Sequence, residues 1–77
     1  MTTAPETTKR SLTIAGHRTS ISLEPIFWQA LQEAAEEHDM SLAALVAEID
    51  EARTTNLSSA IRVWLFERAR ASSRLRE

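Results

Sequence analysis

Two short segments near the start of the chain alternate between polar and apolar residues, as β-strands with one buried face do. They are Ser11-Leu12-Thr13-Ile14 and Thr19-Ser20-Ile21-Ser22-Leu23. Between them, Gly16-His17 fits the centre of a type II′ turn, because glycine tolerates the positive φ that the first central position needs. The pattern therefore predicts a hairpin in which Ile14 lies opposite Thr19.

The predicted hairpin has two chemically different faces. Its apolar face carries Leu12, Ile14, Ile21 and Leu23. Its polar face carries Ser11, Thr13, Arg18, Ser20 and Ser22. Because a two-stranded hairpin is marginally stable alone in water, the apolar face needs a core supplied by the following helices or by a second copy.

Three helices are predicted after the hairpin. Proline at the first helical position loses no hydrogen bond, so the proline after the second strand predicts a helix over Pro25–Glu37. A serine N-cap begins the second helix, Ser41–Glu51. Either Asn56 or Ser58 can cap a third helix, and residues beyond about Ala71 are expected to fray. Apolar residues recur every three or four positions in each helix, which indicates that each buries one face.

Length and composition indicate one small domain. The chain has 77 residues, of which 43% are hydrophobic, and chains below about 70–80 residues are often stabilised by oligomerisation. The predicted domain spans residues 9–72, with a flexible arm at 1–8 and a frayed tail at 73–77. Neither an apolar run of about 20 residues nor the apolar core of a signal peptide is present. We therefore expect a cytoplasmic protein without a membrane partner.

Charge is segregated along the chain, although the formal net charge is only −2. Residues 1–23 carry +2, residues 24–52 carry −8, and residues 53–77 carry +4. A phosphate backbone would dock on the basic segments, whatever the total charge is. Equally, many of these charges fit solvated helix faces and helix ends.

Residues suited to catalysis are too sparse to predict an enzyme. His17 and His38 lie in different elements, and the carboxylates beside His38 point away from it because neighbouring residues diverge on a helix. There is no cysteine, and no metal or cofactor is expected. Trp28 and Trp64 could line a ligand pocket, but a tryptophan in an apolar stripe is more often part of a core or an interface.

The order of strand, helix, short turn and helix resembles the ribbon-helix-helix family of dimeric transcription factors, the Arc and MetJ type. The resemblance covers about residues 17–52 and is carried by Arg18-Thr19-Ser20-Ile21-Ser22-Leu23, Pro25–Glu37, His38-Asp39-Met40 and Ser41–Glu51. The longer run Lys9–Arg70 is similar to a bacterial branch of the family with an extra N-terminal strand and a third helix.

This resemblance implies a mainly α fold with a short β-ribbon, assembled as an intertwined homodimer whose ribbon strand pairs with its own copy. It implies a small sequence-specific transcriptional regulator, such as a repressor, that inserts the ribbon into the major groove of double-stranded DNA. Carried over by position, the base contacts are Arg18, Ser20 and Ser22. The phosphate contacts, at the start of the second helix, are Ser41 and Leu42. Candidate flanking DNA contacts, beyond those carried over by position, are Lys9, Arg10 and Thr13.

Two alternatives remain open at the sequence level. The fold could serve as a protein-interaction module or an antitoxin-like adaptor, docking a partner through a stripe on the third helix. That stripe consists of Ile61, Trp64, Leu65 and Arg68. Separately, if the extra strand pairs with strand 18–23, it either widens the ribbon or occupies the edge that a second copy would need.

Overall fold

The computed structural model describes residues 6–75 as a β-hairpin followed by three helices. The antiparallel strands are β1 (Thr8–Ile14) and β2 (His17–Leu23). The helices are α1 (Pro25–Glu37), α2 (Leu42–Ala52) and α3 (Leu57–Leu75). The predicted order of elements is confirmed, including the extra strand and the third helix.

The turn of the hairpin differs from the predicted one. Its two central residues are Ala15 and Gly16, with φ of 52° and 85°, and positive φ at both positions is typical of a type I′ turn. Ile14 therefore pairs with His17, where the predicted type II′ turn placed it opposite Thr19. The predicted register is wrong by two residues. A shift of two nevertheless leaves every side chain on its predicted face, because the side-chain period of a strand is two.

One core is formed by the inner face of the hairpin and one face of each helix. Its buried members are Ile14, Ile21, Leu23, Trp28, Leu31, Ala34, Ala35, Leu45, Val46, Ile49, Ile61 and Leu65. Two of them, Ile61 and Leu65, belong to α3. The third helix therefore completes the core of its own chain.

The predicted protein-docking stripe on α3 is not supported, for the same reason. Ile61 is 0% exposed and Leu65 is 6% exposed. Trp64 is half-buried and packs against the core, and Arg68 makes an ion pair with Glu37. Two of the four residues are therefore buried in the core, and Arg68 is paired within its own chain.

Helix α1 ends in a Schellman turn that contains a left-handed residue. Asp39 has φ of 58°. The N–H of Met40 donates to the carbonyl of Ala35 (2.9 Å) and the N–H of Asp39 to that of Glu36 (3.1 Å), which is the pairing this motif requires. The helix stops at Glu37 as predicted.

Side-chain caps begin α2 and α3. The Oγ of Ser41 accepts a hydrogen bond from the N–H of Ala44 (3.0 Å), so the helix itself begins at Leu42, one residue after the predicted start. The Oδ1 of Asn56 accepts from the N–H of Ser59 (2.9 Å). Of the two candidate caps for α3, Asn56 is therefore the one used.

The predicted domain of residues 9–72 stays a prediction. Residues 1–5 of the predicted arm lie outside the described residues, and Thr8 already belongs to β1. Residues 76–77 of the predicted tail also lie outside them, and α3 continues to Leu75. The third helix thus ends later than the sequence predicted.

Candidate nucleic-acid interface

The surface of the hairpin that points away from the core is entirely polar. Three directly opposed pairs make up this outer face: Lys9 with Ser22, Ser11 with Ser20, and Thr13 with Arg18. Ser22 is half-buried and the other five residues are exposed. Strands β1 and β2 contain no acidic residue, so the outer face carries two cationic side chains and no carboxylate of its own.

The three predicted base contacts occupy alternate positions of β2 and share this outer face. Arg18 lies next to the turn, Ser20 in the middle and Ser22 near the end of the strand. At the middle, the Oγ atoms of Ser11 and Ser20 lie 3.4 Å apart and share a hydrogen bond. Ser11 was not selected from the sequence as a contact, although the period-two pattern that places it on the polar face was available.

The three predicted flanking contacts do not lie on the same face of the hairpin. Lys9 and Thr13 lie on the outer face, whereas Arg10 pairs with Ile21 on the inner face. The guanidinium of Arg10 lies 5.0 Å from the centroid of the Trp28 ring, which is cation–π geometry. The structure therefore separates Arg10 from every other predicted DNA contact on the hairpin.

The start of α2, where phosphate contacts were predicted, offers backbone groups more than side chains. Ser41 is exposed, but its Oγ already caps the helix. The side chain of Leu42 packs against the core, so the polar groups available here are backbone N–H groups of the first turn, including that of Leu42. The exposed carboxylate of Asp39, two residues before the cap, opposes an anion at this positive helix end.

The outer edge of β2, which faces away from β1, is held at one point by α3. The Oγ of Ser58 donates a hydrogen bond to the carbonyl of Ser22 (3.1 Å). Backbone groups two residues apart on an antiparallel strand point to the same side. The carbonyls of Ser20 and Arg18 therefore point to this outer edge as well. The sequence suggested Ser58 only as a helix cap and gave no sign of this contact.

A second contact joins α3 to the junction between β2 and α1. The Nε of Arg62 donates to Oε1 of Glu24 (3.0 Å), and its guanidinium lies 5.9 Å from the centroid of the Phe27 ring. A backbone hydrogen bond at Glu24 and, after it, the hydrogen bond from Arg62 hold the pKa of the Glu24 carboxyl below its usual value. The side chain of Glu24 therefore binds Arg62 and does not cap α1.

A family model described as a ribbon-helix-helix domain matches residues 7–69. The chain belongs to the ribbon-helix-helix family. Both strands and most of α3 lie inside the matched range. Domains of this family are generally found in DNA-binding regulators and are typically non-enzymatic. No curated protein and no solved structure matched the chain.

The residues that the structure describes also bear on the requirements of a metal site, a membrane span and a tryptophan-lined pocket. Within residues 6–75, no three His, Cys, Asp or Glu side chains are grouped so that they could hold a metal ion, and no helix is long and apolar enough to span a bilayer. Trp28 is 3% exposed and belongs to the core. The half-buried Trp64 lies against the His38 ring, with centroids 6.4 Å apart.

Proposed function

We propose that this ribbon-helix-helix protein is a sequence-specific regulator of transcription that binds double-stranded DNA through the outer face of its hairpin. The observation that carries the proposal is the outer face itself, which is polar throughout and cationic at Lys9 and Arg18. Two antiparallel strands also fit the major groove, which is about 12 Å wide. A regulator of this kind acts where the DNA is, so a cytoplasmic location is part of the proposal.

Each member of the outer face has a chemical role in this proposal. The guanidinium of Arg18 can donate two hydrogen bonds to a guanine, which is the commonest specific contact in the major groove. The hydroxyls of Ser20 and Ser22 can donate to or accept from base edges. Lys9 and the backbone N–H groups at the start of α2 suit phosphate oxygens, which fix the register of a protein on DNA.

A homodimer is the second part of the proposal. Among the side chains whose burial the structure describes, in residues 6–72, three large apolar ones stay exposed, at 70% for Ile26, 53% for Val63 and 63% for Phe66. A second copy that covered them would enlarge the small core of a 77-residue chain. Sedimentation of the purified protein tests this, since the homodimer requires the mass of two 8.6 kDa chains. The intertwined pairing of β2 with its own copy stays a prediction from the family resemblance.

Selection of bound duplexes from a random-sequence library tests DNA recognition, followed by affinity measurements on the selected site. Arg18→Ala is expected to weaken binding by roughly 10- to 100-fold, since one bidentate base contact is worth about 1–3 kcal/mol. It should also relax the preference at one base pair.

Arg53→Ala is the matched control, because Arg53 is a partly exposed arginine at the end of α2 that pairs with Asp50. It removes the same charge and should leave binding of the selected site nearly unchanged. If the wild-type protein enriches no sequence, DNA recognition is wrong. If Arg18→Ala binds the selected site as tightly as the wild type does, the assignment of the outer face is wrong.

A further inference from the structure

We infer that α3 carries a second contact between copies of this chain, in which Phe66 of one copy enters a cavity between α2 and α3 of another and joins two homodimers into a tetramer. The inference rests on the homodimer part of the proposed function and adds a contact that does not use β2. The surface concerned lies on the side of α3 opposite to Ile61 and Leu65, which are buried in the core.

The first half of the contact is an apolar projection on the outer side of α3. Val63 and Phe66 are both exposed, and residues three apart on a helix are neighbours on one face. The guanidinium of Arg70 lies 5.9 Å from the centroid of the Phe66 ring, so a cation accompanies the projection. Single exposed apolar residues are ordinary on a protein surface, and this projection therefore gains its meaning from what lies beside it.

The second half of the contact is an open cavity of about 470 Å³ beside the projection. Val63 forms part of its wall, together with Ile49, Ala52, Ala60 and Trp64. Cavities of about 300–1,000 Å³ accept whole ligands, so this one has room for a phenyl ring. The described residues that line it all belong to α2, α3 or the loop between them. Its use therefore leaves the outer face of the hairpin and the edge of β2 free for other contacts.

The charges around the cavity are complementary to the charge beside the projection. Glu48 and Glu67 are exposed and line the cavity, and among the described residues neither of them makes an ion pair. Arg53 also lines the cavity, but it is already paired within its own chain. A Phe66 ring that entered the cavity would bring Arg70 towards two carboxylates that are not yet paired.

Projection and cavity lie side by side on one helix, which suits a two-fold contact in which each copy supplies both. A two-fold axis parallel to α3 places residues of equal number at one level. Phe66 then lies at the level of Val63 and Glu67 of the second copy. Arg70 lies about 4.5 Å beyond that Glu67, at a rise of about 1.5 Å per residue, which an arginine side chain can span. The contact thus joins copies in pairs.

Sedimentation tests the contact. The wild-type protein should reach the mass of four 8.6 kDa chains at high concentration. Phe66→Ala should weaken the association of dimers at least about tenfold, because buried aromatic anchors dominate the energetics of interfaces. Ile26→Ala is the matched control, since it truncates an exposed apolar side chain of α1 that does not line the cavity. It should leave the tetramer unchanged.

Charge reversal tests the pairing of Arg70 with Glu67. Glu67→Arg and Arg70→Glu should each weaken the association several-fold, because each places like charges opposite one another twice in a two-fold contact. The double variant should restore most of the association, as expected when two residues interact directly. Circular dichroism verifies that every variant is folded at the temperature of the measurement.

Three results would overturn the inference and leave the homodimer intact. The first is a wild-type protein that stays dimeric at every concentration. The second is a Phe66→Ala variant that associates as tightly as the wild type does. The third is a double charge variant that associates no more tightly than the single variants. A monomeric wild-type protein would overturn the proposed homodimer as well, which is a separate outcome.

Discussion

The two faces of the hairpin share one backbone, but the inner face packs on the core and the outer face is exposed to solvent. On the inner face, Ile21 and Leu23 are 2% and 0% exposed and belong to the core. On the outer face, Ser20, the residue before Ile21, is exposed and its hydroxyl shares a hydrogen bond with Ser11 of the same face. Strand alternation alone thus divides one short segment between the core and a solvent-exposed polar face. Substitutions on the two faces should therefore be separable by measurement.

The contrast between Lys9 and Arg10 makes the same point with charge. Both are exposed cations of β1, but Arg10 lies over the Trp28 ring and Lys9 pairs with Ser22 on the outer face. Position on the strand, and not formal charge, decides which of them lies on the outer face.

Leu23→Ala is expected to have the largest effect on stability. Removing most of a fully buried leucine side chain costs about 2–5 kcal/mol, which is comparable to the whole free energy of unfolding of so small a domain, about 3–5 kcal/mol. Circular dichroism should show the variant largely unfolded at 25 °C. Ser20→Ala, on the other face, should stay within about 0.5 kcal/mol of the wild type. Equal destabilisation by the two substitutions would contradict the division between the faces.

Gly16→Ala should have the next largest effect on stability, since the turn holds β1 and β2 in register. Its φ is +85°, and an added Cβ would meet nothing within 4 Å. The cost is therefore backbone strain alone, about 1–2 kcal/mol. Ala15→Asn tests the same turn in the opposite direction, because asparagine tolerates a left-handed φ better than alanine does. Urea unfolding should rank Ala15→Asn above the wild type and Gly16→Ala below it. The opposite ranking would argue against the type I′ turn.

Arg10→Gln should destabilise the domain by about 0.5–1 kcal/mol, the value of an exposed cation–π contact. Lys9→Gln should change stability by less than that. The order is the reverse of the one expected for DNA binding, in which Lys9 matters and Arg10 does not. Urea unfolding of the two variants tests the expected order in stability, and DNA titration tests the expected order in affinity. The same order in both measurements would contradict the prediction.

Replacing Glu24 is expected to have the smallest effect on stability, and the size of that effect depends on pH. Its pKa is below the usual 4.5 in the folded state, so the folded state binds this proton less readily than the unfolded state does. The resulting stabilisation is present above about pH 4.5 and is lost as the pH falls through the lowered pKa. Glu24→Gln should therefore narrow the difference in unfolding temperature between pH 7 and pH 3. An unchanged difference would mean that the contact with Arg62 does not stabilise the folded state.

Local signals explain why the helices were predictable from the sequence. Pro25 sets the start of α1, and the serine that caps α2 is recognisable from its neighbours alone. The end of α1 is also local, because Asp39 and Met40 close a turn with residues only three to five positions earlier. Such interactions involve short stretches of chain, so propensity and spacing are enough to locate them.

The turn of the hairpin shows where local signals become ambiguous. A Gly16-His17 turn and an Ala15-Gly16 turn both bring the same residues to the same faces, because the strand registers that they produce differ by two residues. The first avoids placing alanine at positive φ and therefore looks better from the sequence. The structure adopts the second, with φ of 52° at Ala15, and a pattern of period two cannot distinguish them.

Contacts between distant parts of the chain could not be predicted at all. Ser58 and Ser22 are 36 residues apart, and Arg62 and Glu24 are 38 apart. Polar residues at such separations carry no periodic signal that relates one to the other. Their meeting depends on how α3 packs across the core, which is a property of the assembled fold.

The buried indole of Trp28 has a practical consequence for experiments on the hairpin. Its Nε1 donates a hydrogen bond to the carbonyl of Thr8 (2.8 Å), so the first residue of β1 is attached directly to the side chain of a natural fluorophore. Peeling β1 away from α1 would expose the indole to water and shift its emission to longer wavelength. With Trp64 replaced by phenylalanine, the remaining tryptophan would become a single optical probe of whether the hairpin remains docked when DNA is added.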